Sequence, residues 1–310
     1  MKHVIFHEQP NLKRATLVAA MAGWPDAQRG ATRAIRHLTR KLSARKFAEL
    51  DTEEFYIFTR QRPMVRLDSQ GNRTIQWPRN EFYYCHEETT AQDLLFYIGT
   101  EPQMRWKTFT STILEVARQC DTERMIFLGS LLDAVPHTRE PNITGSATHP
   151  QLKEVLEEMG IHGSGYQGPI GAPTVLMEAL TRESLGYASI WAHAPHYLQG
   201  STNPIVTHAL LRRIVSMLGL QLDLTEWVQA STNFESQVNA SIAAHAETLE
   251  HIHQLEARYD QATGSIPQSQ SESVDLPSAE EAIKGLEEFL RGQQASNQDV
   301  DGTEPSNEHP

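Results

Sequence analysis

Cysteine is almost missing from this sequence. Cys85 and Cys120 are the only two in 310 residues, and they stand far apart with no metal-ligand spacing. That excludes a disulfide framework and fits a reducing compartment. No apolar run approaches the roughly 20 residues that cross a bilayer. The opening MKHVIFHEQP lacks the apolar core of about 7–15 residues that a secretory leader carries. A soluble, cytoplasmic protein without membrane contact is expected. Basic charge is also in deficit, with 27 Lys and Arg against 39 Asp and Glu, which leaves no electrostatic footprint for nucleic acid. Enzyme signatures are missing as well. There is no G-x-S-x-G elbow, no P-loop, no kinase set and no H-E-x-x-H, so a covalent hydrolase or a P-loop phosphotransferase lacks its motif. No cofactor and no metal are expected, and a non-enzymatic role is favoured.

What is present is enough for a large core. Hydrophobic residues make up 39% of the chain and charged residues 21%, which fits one big domain or two smaller ones. The net charge of -12 is unevenly spread. From Gly264 to Pro310 ten Asp or Glu face only Lys284 and Arg291, a net -8, so the rest of the chain carries -4.

The stretch Met125 to Glu140, MIFLGSLLDAVPHTRE, is central. It predicts a buried strand that stops at Gly129, turns through Leu131–Asp133 and delivers Pro136-His137-Thr138-Arg139-Glu140. Three other apolar runs behave alike. Ala15–Gly23 leads to Trp24-Pro25-Asp26, Asp93–Ile98 to Gly99-Thr100-Glu101-Pro102, and Ala188–Ala192 to His193–Tyr197. Helical patterns lie between them at Ala27–Lys41 (capped by Asp26), Trp106–Cys120, Pro150–Met159, Ala172–Leu185 and Pro204–Leu218. Asn203 caps the last, and Pro204 takes its first position. This alternation predicts a three-layer α/β fold with a mostly parallel or mixed sheet, its four polar strand ends converging on one edge.

A β-rich insert is expected at about 47–86, with a hairpin joining Met64–Leu67 to Arg73–Trp77. From Leu224 to Gln261 apolar residues recur three, four or seven apart, which predicts one long helix. The expected organisation is a core at 1–223, that helix at 224–262, and an acidic, mostly disordered tail at 263–310. Within the tail, residues 278–291 read as a short helix. Ser278 and Glu281 form a capping box, and Ile283, Leu286, Phe289 and Leu290 an apolar stripe.

Several residues invite a functional reading beside an ordinary one. Gly163–Gly168 spells G-x-G-x-x-G, but no strand runs into it and Pro169 follows it, so a Gly-rich lid carrying Tyr166 fits better than a dinucleotide site. His137, His193 and His196 lack metal-ligand geometry and serve equally as hydrogen-bonded structural groups. Arg139 and Glu140 are either a solvated pair or loop residues placed for function by a rigid scaffold. Asp26 is a helix cap or a pocket acid, and Trp24 and Trp106 are core or lining. The candidate pocket thus comprises Trp24, Asp26, Glu101, Trp106, His137, Thr138, Arg139, Tyr166, His196 and Tyr197. There Arg139 would clamp an anion and the two histidines would donate or accept protons. The ligand class would be nucleoside-like or carboxylate-containing.

Taken together, the pieces resemble the bacterial branch of the proteasome assembly chaperone family, named for the second eukaryotic assembly chaperone subunit. The matching residues are Gly23–Asp26, Arg62-Pro63, Trp77-Pro78, Gly99–Pro102 with Arg105-Trp106 and Phe109, Val135–Arg139, Tyr166–Pro169, and Trp191 with Pro195–Tyr197. The resemblance runs from about Val18 to about Leu255. It implies a phosphorylase-like fold, related in layout to purine nucleoside phosphorylases, and self-association, often as trimers. An assembly or interaction role is expected with it, and the acidic tail and long helix themselves favour a protein partner.

Overall fold

The computed structural model of the chain describes residues 3–87 and 92–263. The tail at 264–310, with its expected helix at 278–291, lies outside the described residues. Among the described residues ten strands form an eight-stranded sheet and a separate hairpin. In chain order the strands are β1 (Val4–Phe6), β2 (Ala15–Ala22), β3 (Arg45–Leu50), β4 (Met64–Leu67), β5 (Arg73–Gln76), β6 (Glu81–Glu87), β7 (Gln92–Thr100), β8 (Thr122–Asp133), β9 (Ile143–Ala147) and β10 (Gly186–Pro195). The helices are α1 (Gly30–Lys41), α2 (Trp106–Gln119), α3 (Pro150–Glu158), α4 (Ala172–Arg182), α5 (Pro204–Leu218), α6 (Thr225–Ile242) and α7 (Ala246–Thr263).

The large sheet runs β1-β3-β6-β7-β2-β8-β10-β9. Its centre, β7-β2-β8-β10, is parallel throughout and consists of the four apolar runs singled out from sequence. Antiparallel strands flank it on both sides. The fold is therefore a three-layer α/β architecture on a mixed sheet, as expected. Strand alternation explains the layering. On β2, Ala15, Leu17, Ala19 and Met21 enter the core under α2 and α4, which includes Phe109, Ile113 and Leu176. Val18 and Ala20 enter the core under α1 and α5, which includes Ile35, Leu210 and Ile214. Cys85 and Cys120 are buried and free, and burial pushes both thiols up to about 12. Among the described residues no helix is long and apolar enough to cross a membrane.

Three expectations need correction. First, β8 does not stop at Gly129 but continues to Asp133 in register with β10. Gly129 serves packing instead: a Cβ there would lie 2.3 Å from the Trp191 ring. Second, the helix expected over 224–262 is two helices, broken at 243–245. Asn239 bonds His137 and Glu256 bonds Thr138, the very next residue. A straight helix would hold residues 17 apart at about 25 Å, so the chain has to turn back. Both halves bury apolar residues in one cluster, Phe234, Val238 and Ile242 from α6 and Ile252 and Leu255 from α7, over Tyr197 and Leu198. Third, the helix expected from Ala27 opens with a short 3-10 turn, and α1 proper begins at Gly30.

One buried contact ties α6 to the body. The Trp227 indole N–H donates to His37 Nδ1 at 3.0 Å. An indole can only donate, so His37 is held neutral with its proton on Nε2. Burial is the main cause that lowers its pKa, to about 4; Glu226 opposes it, and Arg40 and Lys41 push the same way. The unfolded imidazole protonates near 6.5, so the unfolded chain binds more protons between those values. Stability is thus lost as pH falls from about 6.5 toward 4. Urea denaturation at pH 7 and pH 5 is expected to show this loss reduced by roughly 1–2 kcal/mol in His37→Asn, which keeps an acceptor but cannot titrate. Equal losses in both proteins would refute the assignment.

Candidate functional site

The carboxyl ends of the parallel strands carry two separate constructions. The first is a groove of about 870 Å³ between the turn after β2, the ends of β8 and β10, and the Gly-rich loop before α4. Gly23, with φ +115°, turns the chain sharply out of β2. Asp26 then folds back to cap α1, accepting from Ala31 N–H at 2.8 Å, Thr32 N–H at 3.3 Å and the Thr32 hydroxyl. Burial pushes its carboxyl up, against the pull of those hydrogen bonds.

The intervening Gln28 and Arg29 are both left-handed, with φ 53° and 56°. Such a conformation costs of order 1 kcal/mol or more per non-glycine residue and persists only when its surroundings enforce it. Here the buried Gln28 amide donates to the Pro195 carbonyl at 2.6 Å and accepts from Asn203 at 2.8 Å. Asn203 also caps α5. The strained turn is thereby bolted to the end of β10.

Trp191, seated over Gly129, lines the groove beside Leu131 and Leu132. Across from the β2 turn runs the Gly-rich loop, where the Tyr166 hydroxyl donates to Pro169 O at 3.0 Å. Glu101 ties loop and turn together. Its Oε1 accepts from Ala172 N–H at 2.9 Å, and it also takes the Trp24 N–H. Burial raises the Glu101 carboxyl, and those two hydrogen bonds oppose it. Trp24 and Tyr166 stand 63% and 57% exposed at the groove.

The second construction is a strap of α6 and α7 over the Pro136–Glu140 loop. The buried His137 donates from Nε2 to Asn239 Oδ1 at 3.0 Å and accepts the Tyr197 O–H at Nδ1, 2.7 Å away. The same hydroxyl accepts the His137 backbone N–H at 2.8 Å. Burial lowers the imidazole pKa, in keeping with a neutral ring. Thr138 bonds Glu256. Arg139 grips Asp260 with two parallel bonds of 2.9 and 3.0 Å and reaches Glu256 at 3.2 Å. His196 donates from Nδ1 to the Asp133 carbonyl at 3.2 Å and lies edge-on to Tyr197 and His251. His193 pairs with Asp133 and Thr144. Burial would raise the Asp133 carboxyl, but His193, together with the Ala134 N–H and His196, holds it low.

The ten candidate residues therefore divide. Trp24, Asp26 and Tyr166 line the groove. Glu101 braces it from behind. His137, Thr138, Arg139, His196 and Tyr197 sit under the strap, where intramolecular partners take up the His137 ring, the Thr138 hydroxyl and the Arg139 guanidinium, while the buried His196 Nε2 has no hydrogen-bond partner among the described residues. Trp106 belongs to neither; its indole N–H donates to Pro102 O at 2.7 Å and its ring packs on the core. The single ten-residue pocket is thus corrected to a groove and a strap. Sequence reasoning missed Gln28, Asn239, His251, Glu256 and Asp260. Glu256 and Asp260 did carry a signal, two acids four residues apart on one helical face, placed to meet a cation. Gln28 carried none, because nothing local announces a left-handed glutamine. Among the described residues no group of three His, Cys, Asp or Glu could hold a metal ion.

The model of the PAC2 family matches residues 20–242. A PAC2 family protein from Streptomyces avermitilis is 34% identical, with a TM-score of 0.69 over 76% of this chain and 99% of its own. A proteasome-assembly chaperone homologue from Mycobacterium tuberculosis is 30% identical, also at 0.69 over 76% and 99%. An archaeal proteasome activator from Pyrococcus furiosus, 19% identical, shares the fold at 0.64 over 77% and 99%. No curated protein matches the chain.

The strap geometry makes a definite prediction. Tyr197→Phe leaves the buried His137 N–H and Nδ1 without their partner, which is expected to cost about 1–3 kcal/mol in chemical denaturation. It is also expected to speed amide exchange in α6 and α7 while β2 and β7 stay protected. Unchanged stability would show that this hydroxyl does not hold the strap.

Proposed function

This chain belongs to the PAC2 family, and we propose on that premise that it is an interaction and assembly protein, not a catalyst. The observation that carries this reading is the use made of Pro136–Arg139. Its histidine, threonine and arginine all bond α6 or α7, so the polar segment that most resembles a reactive site shapes the surface instead. The name of the Mycobacterium relative, a proteasome-assembly chaperone homologue, supports a protein partner of that kind. On this reading residues 1–223 form the core domain, the α6–α7 strap completes it, and the protein works in the cytoplasm as a homo-oligomer such as a trimer. Sedimentation velocity at micromolar concentration is expected to show a closed oligomer. Added to proteasome core subunits of its own organism, the chain is expected to speed their assembly severalfold. A monomer that leaves the assembly rate unchanged would sink the proposal.

A second reading rests on the groove. Trp24 and Tyr166 are large aromatics left more than half exposed beside Trp191 and the buried Asp26, and exposed aromatics around a polar-lined cleft commonly mark a ligand site. A planar, nucleoside-like ligand fits that lining, with a carboxylate-containing molecule as the alternative. In a thermal-shift ligand screen, a stabilising compound is expected to lose its effect on Trp24→Ala but to keep it on Arg139→Ala, because Arg139 faces the strap. The opposite pattern would remove the groove from consideration.

A further inference from the structure

The β4–β5 hairpin stands apart from the large sheet, and an isolated two-stranded hairpin is marginally stable in water. Its register pairs Val65 with Ile75 and Leu67 with Arg73, so alternation puts these four residues on one face. Val65, Leu67 and Ile75, with Trp77 just beyond, are each at least half exposed. The Phe58 ring packs on Trp77, at 4.9 Å. The surrounding sequence is basic. Five arginines between residues 60 and 79 face a single acid, Asp68, and Arg60, Arg62 and Arg73 are exposed. In a chain of net charge -12 this is an exceptional patch, apolar at its centre with cations around it.

The same chain carries a complementary segment. Residues 278–291 offer Ile283, Leu286 and Leu290 at i, i+3, i+7 spacing, with Phe289 beside them and Glu280, Glu281, Glu287 and Glu288 around them. We propose that this acidic, apolar segment docks on the exposed face of the β4–β5 hairpin of its own chain, covering Val65, Leu67, Ile75 and Trp77 and pairing its glutamates with the arginines.

Geometry permits the contact. The hairpin lies between β3 and β6, and β6 starts at Glu81 opposite Ile98, at the carboxyl end of β7. The end of α7 is tied by Asp260 to Arg139, just past the carboxyl end of β8. Both segments therefore join the sheet at the same edge, on strands about 14 Å apart across the three spacings from β6 to β8. Fourteen residues separate Thr263 from Ser278, a length of chain that can bridge up to about 45–50 Å. A tether of that length holds its end at millimolar effective concentration, so even a weak contact is populated. The surface is then one that an external partner reaches only by displacing the chain's own tail.

The test uses the full chain and a double variant, Leu286→Asp with Phe289→Asp, which alters no described residue. Hydrogen–deuterium exchange is expected to run severalfold faster across residues 64–76 in the variant. A labelled peptide of residues 277–291 is expected to bind the variant about tenfold more tightly than the unaltered chain, whose own tail competes. Arg73→Glu is expected to speed exchange in 64–76 likewise, and Glu287→Lys added to it to restore protection. That reversal separates docking from simple damage to the hairpin. Equal exchange in the unaltered chain and the double variant would overturn the proposal. So would protection that grows with protein concentration, which would assign the face to a second copy, or a peptide that binds neither protein.

Discussion

The parallel pairing of β8 with β10 is the contact on which both strand-end constructions depend. The two strands stay in register for ten residue pairs, from Arg124 with Gly186 to Asp133 with Pro195. The pairing of β2 with β8 ends earlier, at Ala19 with Phe127. Apart from the bridge of Asp26 with Ser130, β8 and β10 run on together beyond that point as a ledge, and its two ends do different work. Near its base Gly129 admits Trp191, which lines the groove. At its tip Asp133 and Pro195 set the starting points of the Pro136–Glu140 loop and the His196–Leu198 turn, so that His137 and Tyr197 meet. Because successive residues of a strand point to opposite faces, a slip of one residue would take Trp191 off Gly129. The same slip would part His137 from Tyr197, so the groove and the strap share one register.

Much of this was readable in the chain because burial imposes simple periods. The four central strands announced themselves as short apolar runs flanked by polar turns, since a strand covered on both faces has no room for polar side chains. The α1, α2 and α5 faces followed from helical spacing, and the Asn203 cap from its side chain and the proline after it. What escaped has physical reasons too. Gly129 reads as a stop in the sequence because a glycine inside a strand has no local use; its use is a tryptophan from 62 residues further on. The break at 243–245 contains no glycine or proline, so the sequence around it continues a helical pattern without interruption. Only the need for α6 and α7 to cover the same cluster bends it there. The antiparallel edge β9 (ITGSA) is too short and polar to stand out by alternation.

The candidate site divided for a related reason. Sequence reasoning could place the polar loops at one edge but could not tell which were open. A histidine, threonine and arginine in a row read equally as ligand-binding groups and as anchors for another part of the chain. What decided between them was the partner set. Asn239, Glu256 and Asp260 are ordinary surface residues in an amphipathic pattern until the strap folds over. Arg139 then makes bidentate contact with a carboxylate, the geometry in which an arginine binds most specifically, and the carboxylate is the protein's own. A residue pattern shared within a family can thus mark a recurring shape as readily as a recurring reaction.

A protein of net charge -12 that keeps -8 of it in its last 47 residues has a nearly neutral body. Within that body the basic residues between 60 and 79 are concentrated on an element that the eight-stranded sheet does not support and whose apolar side chains face water. Screening limits what such charges contribute at long range, so the separation matters at contact distance or in the encounter that precedes contact. An exposed apolar hairpin without a cover invites aggregation. A tethered segment of opposite charge would suppress that association while leaving the surface open to a partner that binds it more strongly. The polar groups under the strap and the apolar surface of the insert then divide the work, since the first set closes over itself and the second is kept for recognition.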